Sequence, residues 1–342
     1  CCSDRSAASA YNSPPARCLS YPRAEPVVCT KRSAGRSTVN TVTSNSDLFI
    51  LAMDHRDSLL RDLYGIDGDP TGEQIARVSA HKGLVFDGLL RAIEGGVDIS
   101  RVAVLVDERY GADVAVRARE AGIDLAMPIE RSGEPLFLLE YGTFGDGEWM
   151  RHVEAFGPDQ VKVLVRDNPN GSFNRLLQFD RLVTVSNAIR ASGRKFLVEL
   201  LVPATPSQLE SVGSDALRYD TELRAGLTAQ VIEEMQDEGI EPDIWKVEGL
   251  ETEQDARTIV SAARRGGRSK VSCIVLGRDS TQQRLDHWLE VASAVDGFRG
   301  FAIGRSIWEK PLTDHLAGTA SDEELVQRVA ASYTHFVQTW ER

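Results

Sequence analysis

The strongest constraint on the fold is a pattern that recurs eight times, in which a short apolar run ending in charge or glycine precedes a longer segment with helical periodicity. Near-continuous apolar runs are typical of strands buried on both faces, as in parallel sheets. The runs are "LFILAMD" (48–54), "VAVLVDE" (102–108), "DLAMPIE" (124–130), "QVKVLVR" (160–166), "KFLVELLV" (195–202), "IWKVEG" (244–249), "VSCIVLG" (271–277) and "GFAIGRS" (300–306).

The segments between the runs have helical patterns, most clearly at 73–96, 228–239, 253–267 and 321–342. The last opens with Ser321 and Glu324 at the spacing of a capping box. Eight strand-then-helix units predict a (β/α)8 TIM barrel over residues 47–342. A doubly wound open sheet is the alternative, but no dinucleotide fingerprint follows the first run, and the chain has no P-loop motif.

The composition of the chain limits the classes of molecule that it can be expected to bind. A net charge of −12 argues against a nucleic-acid groove or an anionic membrane surface, because phosphate backbones attract clustered Lys and Arg. No apolar run reaches the ~18 residues of a membrane span. Beyond Cys29 the only cysteine is Cys273, which predicts a reducing, cytoplasmic location without disulfides. Apolar surface on the barrel helices is compatible with a homo-oligomer.

Residues 1–46 differ in composition from the rest of the chain. They are rich in Ser, Ala, Arg and Pro, lack apolar periodicity, and carry six basic residues against two acidic ones. This composition predicts a disordered N-terminal extension. A transit peptide has similar composition, but the stretch lacks an initiator Met and an amphipathic helix pattern. We therefore expect a translated upstream region or an expression artefact.

Two lysines stand inside apolar runs, where an unpaired ammonium is costly. The chain has seven lysines against 32 arginines, so Lys162 and Lys246 need a reason particular to lysine. One such reason is nucleophilic attack on a carbonyl by an amine whose pKa is lowered by burial and by a neighbouring cation. We expect the two lysines to face each other across the mouth of the barrel.

Carboxylates at other strand ends fit the same chemistry. In a TIM barrel the carboxyl ends of the strands build the active site, and there we find Asp54, Asp107, Glu130 and Glu199. Glu199 and Asp54 are placed to transfer protons during imine formation and carbon–carbon cleavage. The alternative is a buried ion-pair network of Lys162, Lys246, Glu199 and Glu248 without chemistry. Four such residues on strands 1, 4, 5 and 6, namely Asp54, Lys162, Glu199 and Lys246, favour catalysis.

Glycine–arginine pairs follow the last two runs: Gly277 with Arg278, and Gly304 with Arg305. TIM barrels often bind phosphate at these loops, where backbone N–H groups and a helix N-terminus meet the anion. The pairs therefore predict a phosphate site, with surface turns and solvated arginines as the alternative.

With these residues in place, the sequence resembles the class I, Schiff-base aldolases. It is most similar to the 2-deoxy-5-keto-gluconate 6-phosphate aldolases of myo-inositol breakdown, and more distantly to tagatose 1,6-bisphosphate aldolase. The matching segments span essentially residues 48–341: "ILAMDHR", "VLVDERYG", "PIERSG", "VKVLVRDNPNG", "VELLVPAT", "PDIWKVEGL", "CIVLGR" and "GFAIGRSIW".

The resemblance implies a role for each selected residue. Lys246 would form the Schiff base, Lys162 would be the second active-site lysine, Glu199 the acid/base and Asp54 the carboxylate on strand 1. The two glycine–arginine pairs, Gly277–Arg278 and Gly304–Arg305, would hold the phosphate. The implied reaction cleaves a phosphorylated keto-sugar acid to dihydroxyacetone phosphate and malonate semialdehyde without metal or cofactor.

Some points stay open at the level of sequence. A substrate carboxylate would need a cation, and Arg56, Arg131 and Arg166 are unranked candidates at strand ends. A metal site could use Asp54, His55 and Glu248, but the other five histidines fall outside the strand ends. Alternative functions are an aldolase for another ketose phosphate, such as tagatose 1,6-bisphosphate or a sulfofructose phosphate, or a non-catalytic sugar-phosphate-binding barrel.

Overall fold

Eight parallel strands close into a barrel in which each strand pairs with its neighbours in sequence and β1 pairs with β8. The computed structural model describes residues 46–171, 174–277 and 280–342. The strands are β1 Leu48–Ala52, β2 Val102–Leu105, β3 Asp124–Pro128, β4 Gln160–Arg166, β5 Lys195–Leu201, β6 Ile244–Glu248, β7 Ser272–Leu276 and β8 Phe298–Ile303. The (β/α)8 barrel is thereby confirmed, and the open-sheet alternative is wrong.

Helices surround the barrel and follow every strand. Those in the described ranges are α1 Asp57–Tyr64, α2 Gly72–Glu94, α3 Glu108–Ala121, α4 Glu148–Phe156, α5 Arg175–Ser192, α6 Pro206–Ser211, α7 Ala216–Glu222, α8 Arg224–Asp237, α9 Glu253–Ala263, α10 Gln282–Ser293, α11 Arg305–Leu316 and α12 Asp322–Trp340. The predicted capping box is present at the start of α12, where Ser321 and Glu324 bond reciprocally. None of these helices combines the length and apolarity needed to cross a bilayer.

Both faces of the strands are buried, which is why the runs are continuously apolar. On β1, Phe49 and Leu51 point outward into the large core beneath the helices, while Ile50 points into the barrel. On β6, Trp245 likewise points outward and Ile244 inward. Alternation of side chains along a strand therefore turns Lys246 into the barrel.

The barrel closes where β1 meets β8, and Gly300 makes that contact feasible. Its φ is +120°, and a Cβ there would lie 2.1 Å from the carbonyl oxygen of Leu48. The predicted eighth run, 300–306, began two residues late and extended into α11, which starts at Arg305. The pairing of β1 with β8 is regular, but the pairing of β7 with β8 has a register shift between Cys273 and Val275, which local apolar periodicity cannot indicate.

Candidate active site

Four charged side chains predicted from the sequence meet inside the barrel. Lys162 on β4, Glu199 on β5 and Lys246 on β6 all point inward, and Asp54 follows β1 by two residues. Each side chain is at most 10% exposed. The backbone register sets Glu199 directly beside Lys246.

Glu199 bridges the two lysines. One carboxylate oxygen, Oε2, lies 2.8 Å from Lys162 Nζ, and the other, Oε1, lies 3.0 Å from Lys246 Nζ. The lysines thus share a carboxylate instead of facing each other across an open mouth. Burial alone would raise the pKa of Glu199, but Lys162 and Lys246 hold it below its usual value.

Lys162 is surrounded by three carboxylates. Its Nζ lies 2.8 Å from Asp54, 2.9 Å from Glu130 and 2.8 Å from Glu199. Burial favours the neutral amine, but the charges of these carboxylates prevail and raise the pKa of Lys162 above its ordinary value. Lys162 is therefore a fixed ammonium, and the expectation of a lowered amine pKa is wrong for this residue.

Asp54 is the ionised partner of that ammonium. Burial works to raise its pKa, but Lys162 and then Lys246 lower it well below the usual range. A carboxylate held this way stays charged at neutral pH. The site therefore carries a fixed anion beside Lys162, two residues beyond the end of β1.

Lys246 has a simpler environment than Lys162. Among the described residues, Glu199 is the only carboxylate within ion-pair distance of its Nζ, and the side chain is 3% exposed. Glu248, which the alternative interpretation placed in the same network, bonds elsewhere: it accepts from the Val202 N–H at 3.1 Å and lies 3.8 Å from Arg224.

Glu130 is a site residue that the sequence placed at a strand end without indicating its role. Its Oε1 receives both Lys162 and Arg56, whose Nη2 lies 3.1 Å away. Arg56 also donates to the Glu130 carbonyl at 2.7 Å and to Glu140 Oε2 at 3.3 Å. Arg56, predicted as a substrate ligand, is thus already occupied by two carboxylates and braces Glu130.

Lys82 could not be singled out from the sequence. It is buried on α2, donates to the carbonyl oxygens of Met53 at 2.6 Å and His55 at 3.1 Å, and pairs with Asp107. These bonds hold the turn that carries Asp54. In the sequence Lys82 is distinguished only as one of seven lysines, because the residues it bonds to lie 25 to 29 positions away.

The glycines predicted to bind phosphate lie side by side at the ends of β7 and β8. Gly277 donates to the Ala302 carbonyl at 3.3 Å, and a Cβ on it would lie 2.9 Å from Ile303. A Cβ on Gly304 would lie 2.5 Å from the carbonyl oxygen of Ala52. Both positions are therefore closed to other side chains for reasons of packing alone.

The two arginines predicted to bind phosphate beside these glycines are Arg305 and Arg278. Arg305 begins α11, and its Nη1 lies 3.0 Å from Asp62 and 3.4 Å from Glu309. Arg305 is therefore already paired with two carboxylates. Arg278 lies outside the described residues.

Of the other two arginines proposed for a substrate carboxylate, Arg131 is exposed on the loop after β3. Arg166, the last residue of β4, is half-buried and donates to the Glu134 carbonyl at 3.3 Å. The structure therefore separates the three candidates by environment: Arg56 is buried and paired, Arg131 exposed, and Arg166 at the rim of the mouth.

Metal ligands do not cluster in the described parts of the chain: no group of three or more His, Cys, Asp and Glu side chains is arranged to hold an ion there. His55, next to Asp54, packs edge-on against Trp308 with ring centroids 5.4 Å apart. Burial, aided by the charges of Arg305 and Lys246, lowers the pKa of His55 to about 4. The imidazole is therefore neutral at physiological pH.

The closed strand order and the charged residues inside it define a (β/α)8 barrel with a polar centre at the carboxyl ends of its strands. The chain belongs to the DUF2090 family, described as uncharacterized proteins conserved in bacteria, whose sequence profile matches residues 34–342. That match begins upstream of the boundary predicted at residue 47. A search of curated proteins found no match.

Solved structures share the barrel at low sequence identity. The YdjI aldolase from Escherichia coli K12 superposes with a TM-score of 0.51 at 9% identity, covering 87% of this chain and 93% of that one. A fructose-bisphosphate aldolase from Slackia heliotrinireducens gives 0.51 at 13% identity, with 85% and 89% covered. Cgl0159 from Corynebacterium glutamicum gives 0.48 at 15%, with 83% and 86% covered. For the two structures with a TM-score of 0.51, the likeness at these identities shows a shared fold alone.

Proposed function

We propose that this protein is a class I aldolase in which Lys246 forms a Schiff base with a phosphorylated ketose. The observation that carries the proposal is the carboxylate of Glu199, held with one oxygen on each lysine. A nucleophilic amine needs a neighbouring group that accepts and returns protons. Glu199 meets that need for Lys246, while Lys162 remains charged.

Imine formation uses this pair. Lys246 first passes one ammonium proton to Glu199 and, as the neutral amine, adds to the keto carbon, while a second proton moves from its nitrogen to the former keto oxygen. Glu199 then returns its proton to the resulting carbinolamine hydroxyl, which leaves as water and yields the iminium ion. The ammonium of Lys162, 2.8 Å from the other oxygen of Glu199, keeps this carboxylate in place throughout.

Carbon–carbon cleavage needs a base for the substrate hydroxyl, and Asp54 fits that role because it is ionised and lies at the end of β1. As Asp54 takes the hydroxyl proton, the adjacent bond breaks, an aldehyde departs, and the electron pair moves to the iminium nitrogen. Protonation of the resulting enamine and hydrolysis release dihydroxyacetone phosphate and restore Lys246.

The substrate we favour is a phosphorylated keto-sugar acid, 2-deoxy-5-keto-D-gluconate 6-phosphate, which would give malonate semialdehyde as the aldehyde. Support comes from the sequence resemblance, and the reaction class agrees with the names of the Escherichia coli and Slackia heliotrinireducens barrels. The phosphate would bind beside Gly277 and Gly304, with Arg278 and Arg305 nearby in sequence.

Borohydride trapping tests the mechanism. Protein incubated with dihydroxyacetone phosphate and borohydride should gain one stable adduct by intact mass, and peptide mapping should place it on Lys246, because reduction fixes only an imine. The matched control is Lys246→Met, which should gain none. An adduct on another lysine would refute this assignment of roles, and a folded protein that binds the ligand without any adduct would be a sugar-phosphate-binding barrel.

A further inference from the structure

Arg166 stands over the mouth of the barrel. It shares the inward face of β4 with Lys162, because residues two and four apart on a strand point the same way. In register it pairs with Leu201, two residues beyond Glu199. The rise along the strand places its Cα about 13 Å above that of Lys162, towards solvent.

The guanidinium of Arg166 has few hydrogen-bond partners among the described residues. Its one side-chain hydrogen bond within the described ranges is the 3.3 Å contact with the Glu134 carbonyl, and no carboxylate of those ranges lies within 4 Å. Most arginines in the part of the chain that the structure describes pair with carboxylates, as Arg56 does with Glu130 and Glu140. An arginine without such a partner retains donors for a ligand.

The backbone that carries Arg166 is, by contrast, firmly held. Its carbonyl accepts from Gln178 Nε2 at 3.1 Å, and Gln178 is buried on α5. The next peptide N–H, of Asp167, donates to the Leu201 carbonyl at 3.0 Å. The strand end is therefore fixed from both sides.

Side chains of the following two residues extend that support. The buried carboxylate of Asp167 receives two bonds of 2.7 Å from Arg175. Asn168, also buried, donates to the Pro203 carbonyl and to Gln208 Oε1, each at 2.8 Å. A rigid backbone below a nearly unpaired guanidinium is the arrangement expected of a preorganised ligand-binding group.

The order of the strands around the barrel indicates how a ligand would lie across its mouth. In a closed order of eight, β4 lies opposite β8, so Arg166 and the glycines at the ends of β7 and β8 stand on opposite sides of the mouth. β5 and β6, with Glu199 and Lys246, lie between them. A linear molecule anchored at both places would pass over Lys246.

We propose that Arg166 binds a second anionic group of the substrate, at the end remote from the phosphate, and selects linear sugar phosphates with an anion at each end. The proposal rests on the proposed function for the position of the first phosphate and the keto carbon. A planar guanidinium binds carboxylate and phosphate alike through two parallel N–H donors. Arg56 is committed to Glu130, and Arg131 is exposed to solvent on the loop after β3.

Calorimetric titration with three ligands that the enzyme cannot cleave tests the proposal: glucitol 6-phosphate, 6-phosphogluconate and glucitol 1,6-bisphosphate. We expect the wild-type protein to bind at least one of the two doubly anionic ligands about tenfold or more tightly than glucitol 6-phosphate. Arg166→Gln should remove that preference and leave the affinity for glucitol 6-phosphate unchanged. Arg131→Gln is the matched control and should behave as wild type.

The ligands also distinguish the chemistry of the second anion. Tighter binding of 6-phosphogluconate assigns a carboxylate, and tighter binding of the bisphosphate assigns a phosphate. The proposal is overturned if wild type shows no preference or binds none of the three. It is equally overturned if Arg166→Gln keeps the preference or Arg131→Gln loses it.

Borohydride trapping separates this proposal from the aldolase mechanism. Dihydroxyacetone phosphate has no second anion, so Arg166→Gln should be trapped on Lys246 as efficiently as wild type. Trapping without any ligand preference would refute the role of Arg166 alone. A ligand preference without trapping would refute the Schiff base and leave a binding protein for doubly anionic sugars.

Discussion

Two lysines of one barrel differ because of their neighbours. Lys162 contacts three carboxylates and is held as an ammonium, whereas Lys246 has one carboxylate partner in the described residues and shares it with Lys162. Both side chains are buried, and the number of neighbouring carboxylates separates them. The division of roles thus depends on contacts and not on residue type.

Substituting these lysines one at a time should lower the stability of the fold to different extents. Lys162→Met removes the cation that contacts Asp54 and should lower the free energy of unfolding by about 3–5 kcal/mol, as expected when a buried charge loses its partner. Lys246→Met should cost less, because Glu199 keeps Lys162. Denaturant unfolding of the two variants beside wild type measures the difference.

The loss of catalysis should not follow the loss of stability. Lys246→Met should remain folded yet lose cleavage and borohydride trapping entirely, since the attacking amine is gone. Equal destabilisation by the two substitutions would contradict the assignment of Lys162 as the structural cation. Retained cleavage by Lys246→Met would exclude a Schiff base on this residue.

The sequence predicted the centre of the site but not its surroundings. Lys162, Lys246 and Glu199 were recognisable because each interrupts an apolar run whose strand is buried on both faces. Glu130 and Lys82 could not be assigned, because their partners lie 32 and 25 residues away, and no local pattern records such contacts. The lowered pKa expected for paired lysines failed for Lys162 for the same reason.

At the scale of elements, hydrogen bonds link the ends of β5 and β6 in addition to the ion pair of Glu199 with Lys246. The Val202 peptide donates to Glu248 and accepts from the Tyr219 hydroxyl at 2.8 Å, and Arg224 donates to the Gly249 carbonyl at 2.7 Å. These bonds lie just above Glu199 and Lys246. They fix the spacing of the two strands that carry Glu199 and Lys246.

Glu248→Ala should therefore loosen this brace. We expect it to lower the free energy of unfolding by about 1.5–3 kcal/mol, since a buried carboxylate that accepts a backbone N–H is lost. Glu253→Ala, which removes an exposed pair with Arg257 on α9, is the control and should change stability by less than about 0.5 kcal/mol. Thermal unfolding compares them, and similar losses for both would show that the brace is dispensable.

Strand positions were predicted to within a few residues because burial on both faces leaves a continuous apolar signal. Boundaries failed where tertiary contacts override it. β8 begins at Phe298, which pairs with Cys273 of β7 ahead of a register shift. α9 ends at Ala263, short of the predicted 267, where Gly266 adopts a left-handed conformation with φ of 67°. Such departures arise from packing between elements distant in sequence.

At the scale of the whole molecule, the two ends of the barrel carry different chemistry. The carboxyl ends hold the paired charges of the candidate site, while Asp124 is buried at the opposite end, at the start of β3. Burial and then the charge of Asp159 raise the pKa of Asp124 to about 6. In TIM barrels this end serves stability.

The raised pKa of Asp124 predicts that its ionised carboxylate destabilises the folded protein at high pH. An aspartate in the unfolded chain titrates near pH 3.9, so the folded state holds this proton more tightly, and its stabilising effect is lost as pH rises through about 6. Asp124→Asn should therefore raise the melting temperature at pH 8 and lose most of that advantage below pH 4. An equal change at both pH values would show that the carboxyl group does not titrate as inferred.

The seam of the barrel has a consequence for inheritance. Every single-nucleotide missense change in a glycine codon introduces a residue with a β-carbon, and at Gly300 that carbon would lie 2.1 Å from a backbone oxygen of the first strand. No neighbouring codon therefore encodes a residue that the closed cylinder accommodates as it stands. Variation at this position should be eliminated from natural populations irrespective of the function of the protein.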